Sequence, residues 1–246
     1  MNFDPLQNQA NTGMEKMGEI WDFWADGAHS PAFNMAADEV LLENAIQRGR
    51  PLLRFYRWDR LAVSIGYVQA LAAAPEGYAV VRRPTGGGVV YHDFDFTYTV
   101  VFPKGHWLTG LDRMLSYDWL NRSVQEALRQ LGLLVNLADQ EISSEVDRLS
   151  MVCFSNPTRY DILLGEKKVA GSAQRRSKDG ILHQGSLHFG GPLPTERERL
   201  AEALLQGFKS VMQVRPEPFQ PDAELLVAIN QRAEQKYDTT EWNARR

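Results

Sequence analysis

Apolar positions along the chain alternate between stretches of helical spacing and stretches of strand spacing. Phe33, Ala36, Ala37, Val40, Leu41 and Ala45 recur at the interval of one helix face. Ser30-Pro31 before them is a helix start, serine as N-cap and proline at the first position, and Gly49 ends the run. Leu120, Val124, Ala127, Leu128 and Leu131 mark a second helix, which we expect Ser116 to cap and Gly132 to close. Thr195 and Glu198 have capping-box spacing for a third helix through Met212, and Asp222 starts a fourth that runs to about Tyr237. Between them, residues 52–58, 62–67, 79–82, 89–91, 97–102, 160–164, 168–173 and 181–187 read as strands. Gly165-Glu166 is a short turn that makes a hairpin of 160–164 and 168–173. Hairpins mixed with separate helices predict an α+β fold of mixed, mostly antiparallel sheets flanked by helices, rather than a doubly wound parallel sheet.

Composition narrows this picture. The chain has 246 residues, 43% of them hydrophobic and 24% charged, enough for a real core and incompatible with wholesale disorder. Residues 1–18 are polar and carry no apolar signal-peptide core, so we expect a flexible lead-in there and one catalytic domain over 19–246. No run of 18 apolar residues exists, so a membrane partner is not expected, and the cytoplasm is the expected compartment. A net charge of -4 argues against sequence-independent nucleic-acid binding. The single cysteine, Cys153, leaves no intrachain disulfide.

The most unusual local sequence is Arg82-Arg83-Pro84-Thr85-Gly86-Gly87-Gly88-Val89-Val90-Tyr91-His92-Asp93. Adjacent glycines bare the backbone N–H groups and let a ligand approach within contact distance, and the arginines before them could hold a carboxylate or phosphate. No Gly-Lys-Ser/Thr follows, so this is not a Walker A loop, and the spacing does not fit the dinucleotide fingerprint. By itself the run also fits a solvated hairpin turn.

That stretch resembles the signature of the lipoate–protein ligase, octanoyltransferase and biotin–protein ligase superfamily. Lys167-Lys168-Val169-Ala170-Gly171-Ser172-Ala173-Gln174-Arg175 resembles its lysine motif, and His183-Gln184-Gly185-Ser186-Leu187 a third block. The resemblance implies a biotin/lipoate ligase-like catalytic domain working on a medium-chain acyl group, octanoyl or lipoyl, delivered to a lysine of a carrier domain. By that match Lys168 is the family lysine. Arg83, Gly86, Gly87, Gly88 and His92 belong to the acyl site, together with Gly171, Ser172 and His183.

The superfamily divides by reaction, and Cys153 bears on the division. Cys153-Phe154, then Pro157 and Tyr160-Asp161 leading into the lysine hairpin, resembles the cysteine block of the octanoyltransferase group typical of Gram-positive bacteria. Cys153 then matches that group's nucleophile, although a lone cysteine also reads as a small buried hydrophobe. The resemblance implies octanoyl-acyl carrier protein as donor, a thioester on Cys153, and a lipoyl or glycine-cleavage H domain as acceptor. Exchange of one thioester for another needs no ATP, and no cofactor is expected. Protonated Lys168 would stabilise the thiolate and relay a proton from the incoming amine to the leaving sulfur, with backbone amides near Gly171 or the glycines facing the oxyanion. Residues 222–246 leave no room for the second domain that many ligases carry, and His183-Gln184-Gly185 departs from their His-His-Gly. The alternatives are an ATP-dependent lipoate–protein ligase lacking or sharing its accessory domain, and a catalytically silent carrier-binding protein.

Other residues are weighed less heavily. His183 is either a donor to the acyl carbonyl or Cys153, or a packed structural histidine. The histidines and Cys153 lack metal-ligand spacing, so no metal is expected. Asp139, Glu141, Glu145 and Asp147 read as a solvated loop, and Trp21, Trp24, Trp58, Trp107 and Trp119 as core, rim or tunnel lining. Arg82, Arg83, Arg175, Arg176 and Lys178 suggest a local basic rim for an acidic carrier.

Overall fold

The structure, a computed structural model, describes residues 18–139, 152–155 and 157–245. In chain order it runs β1 (Glu19–His29), α1 (Pro31–Glu43), α2 (Ala45–Arg48), β2 (Leu52–Trp58), β3 (Ala62–Ile65), β4 (Ala79–Arg82), β5 (Val90–His92), β6 (Phe96–Pro103) and α3 (Arg113–Gln130). It continues through β7 (Val135–Leu137), β8 (Ile162–Leu164), β9 (Lys167–Arg176), β10 (Gly180–Leu187), α4 (Arg197–Met212), β11 (Val214–Pro218), α5 (Ala223–Arg232) and α6 (Thr240–Asn243). A π-helical turn, Ala233–Tyr237, extends α5.

An eight-stranded sheet in the order β11-β1-β2-β6-β10-β9-β8-β7 forms the centre, and β4-β3-β5 form a smaller sheet. β1 pairs in parallel with β11 and β2, and β3 with β4; the other pairings are antiparallel. The mixed, mostly antiparallel α+β architecture is therefore as the sequence pattern predicts.

Strand alternation decides which side chains meet which helices. On β6, Phe96, Tyr98, Val100 and Phe102 join the core beneath α3 and α4, while Val101 joins the core beneath α1 and α5. On β10, Ile181 and Leu187 face the first core and Leu182 the second. α1 is buried from Pro31 through Leu42, apart from Phe33, because it is enclosed by the large sheet, β4 and the α5 region. Ser30 Oγ accepts the Phe33 N–H at 3.2 Å, which starts α1 where serine and proline predict.

Two predicted caps are not formed. Ser116 lies inside α3, which starts earlier because Asp112 accepts the Met114 N–H at 2.8 Å. The buried Ser116 hydroxyl instead donates to Arg113 O. α4 begins at Arg197 after Glu196, with no side-chain cap, so the Thr195–Glu198 box does not close. β1, β7, β11 and α6 were not visible in the sequence pattern. A register shift between Ala25 and Ala28 breaks the period of β1. β11 carries Pro216 and Pro218, tolerated on an edge strand.

Candidate active site

The β8–β9 hairpin builds the first half of the site. Lys168 is the second residue of β9, and Asp161 immediately precedes β8. Across the hairpin, Lys168 Nζ lies 2.7 Å from Asp161 Oδ2, with side chains only 3% and 5% exposed. Nζ also donates to the Cys153 carbonyl at 2.9 Å and approaches Cys153 Sγ at 3.5 Å. Asp161 Oδ2 is fixed from its other side by the Thr158 N–H and hydroxyl. Burial alone would lower the Lys168 pKa, but Cys153 and Asp161 outweigh it and hold the ammonium above its ordinary range. Gly171 makes the space for this pair: a Cβ there would fall 2.5 Å from Lys168 Cε and 3.1 Å from Asp161 Oδ1.

The glycine-rich segment builds the second half. Cys153 opens a single helical turn, Cys153–Ser155, and its N–H donates to Val89 O at 2.9 Å. Val152 bridges Val89 as well, so the cysteine turn is docked on the residue that follows the glycines. Arg83 folds back over the run: Nε and one terminal nitrogen donate to Gly86 O, that nitrogen also to Gly88 O, and the other to Ser64 O and Oγ. Burial lowers the Arg83 pKa, while nearby Cys153 acts in the opposite direction.

Between the halves lies a small cleft, partly open to solvent and mainly apolar in surface. Cys153, Phe154, Ser172 and Trp58 on its wall are half-buried, whereas Met35, Tyr56 and Gln184 are buried, so the cysteine sits nearer the opening. The polar wall residues are turned onto one another. His92 stacks on Trp58 and bonds Ser64 Oγ at 2.9 Å and Asp95 Oδ2 at 2.8 Å. Burial opposes the Asp95 charge, but His92, Thr97 and Ser186 outweigh it and hold the carboxyl below its usual range. Gln184 donates to Asp38 Oδ2 at 2.7 Å and accepts from the Thr85 hydroxyl at 2.7 Å.

The structure therefore brings Cys153, Lys168, Arg83, His92, Gly171 and Ser172 together. Gly86, Gly87 and Gly88 are not among the residues that line the cleft; the carbonyls at 86 and 88 are caught by Arg83, which does line it. His183 does not reach the cleft. It lies on the opposite face of β10 from Gln184, bonded to Gln174 and packed near Tyr98 and Tyr117. Burial pushes its pKa down to about 3, the state of a neutral packed histidine. The expected basic rim is also revised. Arg82 and Arg83 are buried, Arg176 is spent on Thr109 O, Leu111 O and Ser116 Oγ, and Arg175 pairs with Glu39 at 3.0 Å. Arg83, with its N–H groups directed to protein oxygens, holds the loop rather than a ligand anion. Asp139 is exposed, while Glu141, Glu145 and Asp147 lie outside the described residues, as do residues 1–17. Asp161, Ser64, Asp95 and Gln184 were not among the expected site residues, although Asp161 and Gln184 lie in two of the motif blocks. No local signal set Asp161 against Lys168: Leu163 pairs with Lys168 and Ile162 with Ala170, with a register shift between them, so Asp161 lies beside Gly171 and it is the long Lys168 side chain that reaches it.

The chain belongs to the lipoyl protein ligase A/B catalytic domain family, whose family model matches residues 30–224. Among curated proteins it is similar to Octanoyltransferase LipM of Anoxybacillus flavithermus, 34% identical over 280 residues, covering 95% of this chain and 100% of that protein. Octanoyltransferase LipM of Bacillus subtilis is 32% identical over 275 residues, covering 93% of this chain and 99% of the relative. A putative lipoate protein ligase from T. acidophilum has the same fold, with a TM-score of 0.76 at 23% identity, covering 94% of this chain and 100% of that one.

Proposed function

We propose that this acyltransferase moves an octanoyl group from octanoyl-acyl carrier protein, through a thioester on Cys153, to the lysine of a lipoyl or glycine-cleavage H domain during lipoyl cofactor synthesis. The observation that carries this reading is the approach of Lys168 Nζ to Cys153 Sγ, 3.5 Å, beside an apolar cleft. Full-length similarity to octanoyltransferases supports it.

The chemistry follows from the charges. The Lys168 ammonium stabilises a Cys153 thiolate, the nucleophilic form of the residue. The sulfur attacks the donor carbonyl, forming the new S–C bond as the bond to the carrier sulfur breaks; the carrier leaves as a thiolate and takes up the proton that the Cys153 thiol released. The alkyl chain lies in the cleft, where each buried CH₂ contributes about 0.8 kcal/mol. The acceptor amine then attacks the acyl carbon, an N–C bond replaces the S–C bond, and Lys168 passes the amine's proton to the leaving sulfur. Asp161 keeps Lys168 charged and in place through both steps. Among the described residues no helix is long and apolar enough to cross a membrane, and the cytoplasm is the compartment we assign.

Intact-mass analysis after incubation with octanoyl-carrier tests the reading. A single octanoyl adduct on wild type, absent in Cys153→Ala, is expected. Full transfer by Cys153→Ala, or acylation that requires ATP and free acid, would overturn it.

A further inference from the structure

The glycine run is held from behind by a distant part of the chain. Arg82 is fully buried, and residues 239–245 close over it. Its backbone N–H donates to Asn243 Oδ1 at 2.7 Å, and its carbonyl accepts from Trp242 Nε1 at 2.9 Å. Its guanidinium donates through Nε to Trp242 O at 3.2 Å and through one terminal nitrogen to Asn243 O at 2.8 Å. The other terminal nitrogen reaches the carbonyls of Gly66, Tyr67 and Gln69. One side chain thus ties α6 to the turn after β3.

That turn props the glycines directly. The Tyr67 N–H donates to Thr85 O at 2.8 Å, and a Cβ on Gly66 would fall 1.9 Å from Gly87 O. The strap over Arg82 is itself pinned. Thr239 caps α6, and Asn243 Nδ2 donates to Tyr237 O and Thr239 O. Lys236 and Arg245 lie over the Trp242 ring at 3.9 and 4.0 Å, and Arg245 donates to Tyr67 O at 3.2 Å. Neither Trp242 nor Asn243 lines the cleft.

We infer that Trp242 and Asn243 are positioning residues for the acyl site. Consecutive glycines have no side chains to pack and lose more backbone entropy on ordering than other residues. A triple-glycine segment must therefore be held from outside. Arg83 holds it from the cleft side, and α6 holds it from the far side through Arg82 and the turn at Gly66. Val89, on which Cys153 docks, follows immediately and depends on the same support. The kinetic half of this inference rests on the proposed acyl transfer; the structural half does not.

Asn243→Ala and Trp242→Phe in the full chain test it, with amide hydrogen exchange and donor kinetics read together. In Asn243→Ala, exchange at residues 85–89 is expected to quicken about tenfold, the weight of one lost hydrogen bond, with β6 and β10 unchanged. The KM for octanoyl-carrier is expected to rise while kcat falls by less than about twofold. Trp242→Phe keeps a ring for Lys236 and Arg245 but loses the bond to Arg82 O, so it should move both readouts less, in the same direction. Unchanged exchange at 85–89 would overturn the inference. So would exchange rising equally in β6 and β10, which reports general destabilisation. A wild-type protein that never acylates Cys153 would sink the proposed function, and the exchange data alone would then decide the role of α6.

Discussion

Lys168→Met removes the cation at the centre of the site and leaves the Asp161 carboxylate, 5% exposed, without the charge that lies 2.7 Å away. Removing one partner of a buried ion pair costs about 3–5 kcal/mol, because the remaining charge stays desolvated. For a domain of this size that is a fall in Tm of roughly 6–20 °C. Asp161→Asn combined with Lys168→Met removes both charges and should recover much of the loss, with a coupling of about 2 kcal/mol or more in a double-mutant cycle. Urea denaturation of the two single variants, the double variant and wild type measures the coupling. Additivity within about 0.5 kcal/mol would refute the account of Asp161 as the partner that keeps Lys168 charged. The chemistry separates from the stability: the double variant, though refolded, should still acylate Cys153 about 10²–10⁴-fold more slowly than wild type. The pair also sets an alkaline limit. The folded pKa of Lys168 lies above the ordinary 10.5, so the stability it contributes is complete below that value and is lost as pH rises through the folded pKa.

Gly66→Ala should displace the glycine run, because its Cβ would meet Gly87 O at 1.9 Å and backbone must move; we expect a stability loss of about 1–3 kcal/mol and weakened donor binding in transfer assays. His183 titrates at about 3 in the fold against an ordinary 6.5, so between those values the unfolded chain binds a proton that the folded chain does not. Stability is therefore lost as pH falls through this window, by about 2 kcal/mol at pH 5, and His183→Gln should flatten that acid limb in denaturation curves taken from pH 7 to pH 4.

The helices were legible where periodicity and end signals agreed, as at Ser30-Pro31 and Asp222. They misled where two polar residues competed for a cap: Asp112, not Ser116, reaches a free N–H at the start of α3. β11 was hidden because its prolines argue against a strand, and its place at the sheet edge is a property of the assembled fold. The cysteine, the lysine and the glycine run were all readable as chemistry, since thiol, amine and bare backbone are unusual in that combination. Asp161 was not, because a carboxylate acquires its meaning from what it is buried against.

The mixed α+β class, the family resemblance and the choice of Cys153 and Lys168 as candidates for the chemistry came from the sequence, because residue chemistry and local periodicity survive without coordinates. Tertiary structure alone decided that His183 faces the helical core while Gln184 faces the cleft, since strand alternation becomes a choice of side only once both faces are covered. It decided that Arg82 and Arg83 are buried braces rather than a docking rim, and that α6 braces a glycine run some 155 residues earlier in the chain. Those assignments rest on contacts between segments far apart in sequence, formed by burial and hydrogen-bond satisfaction across the whole fold, and no local pattern records them.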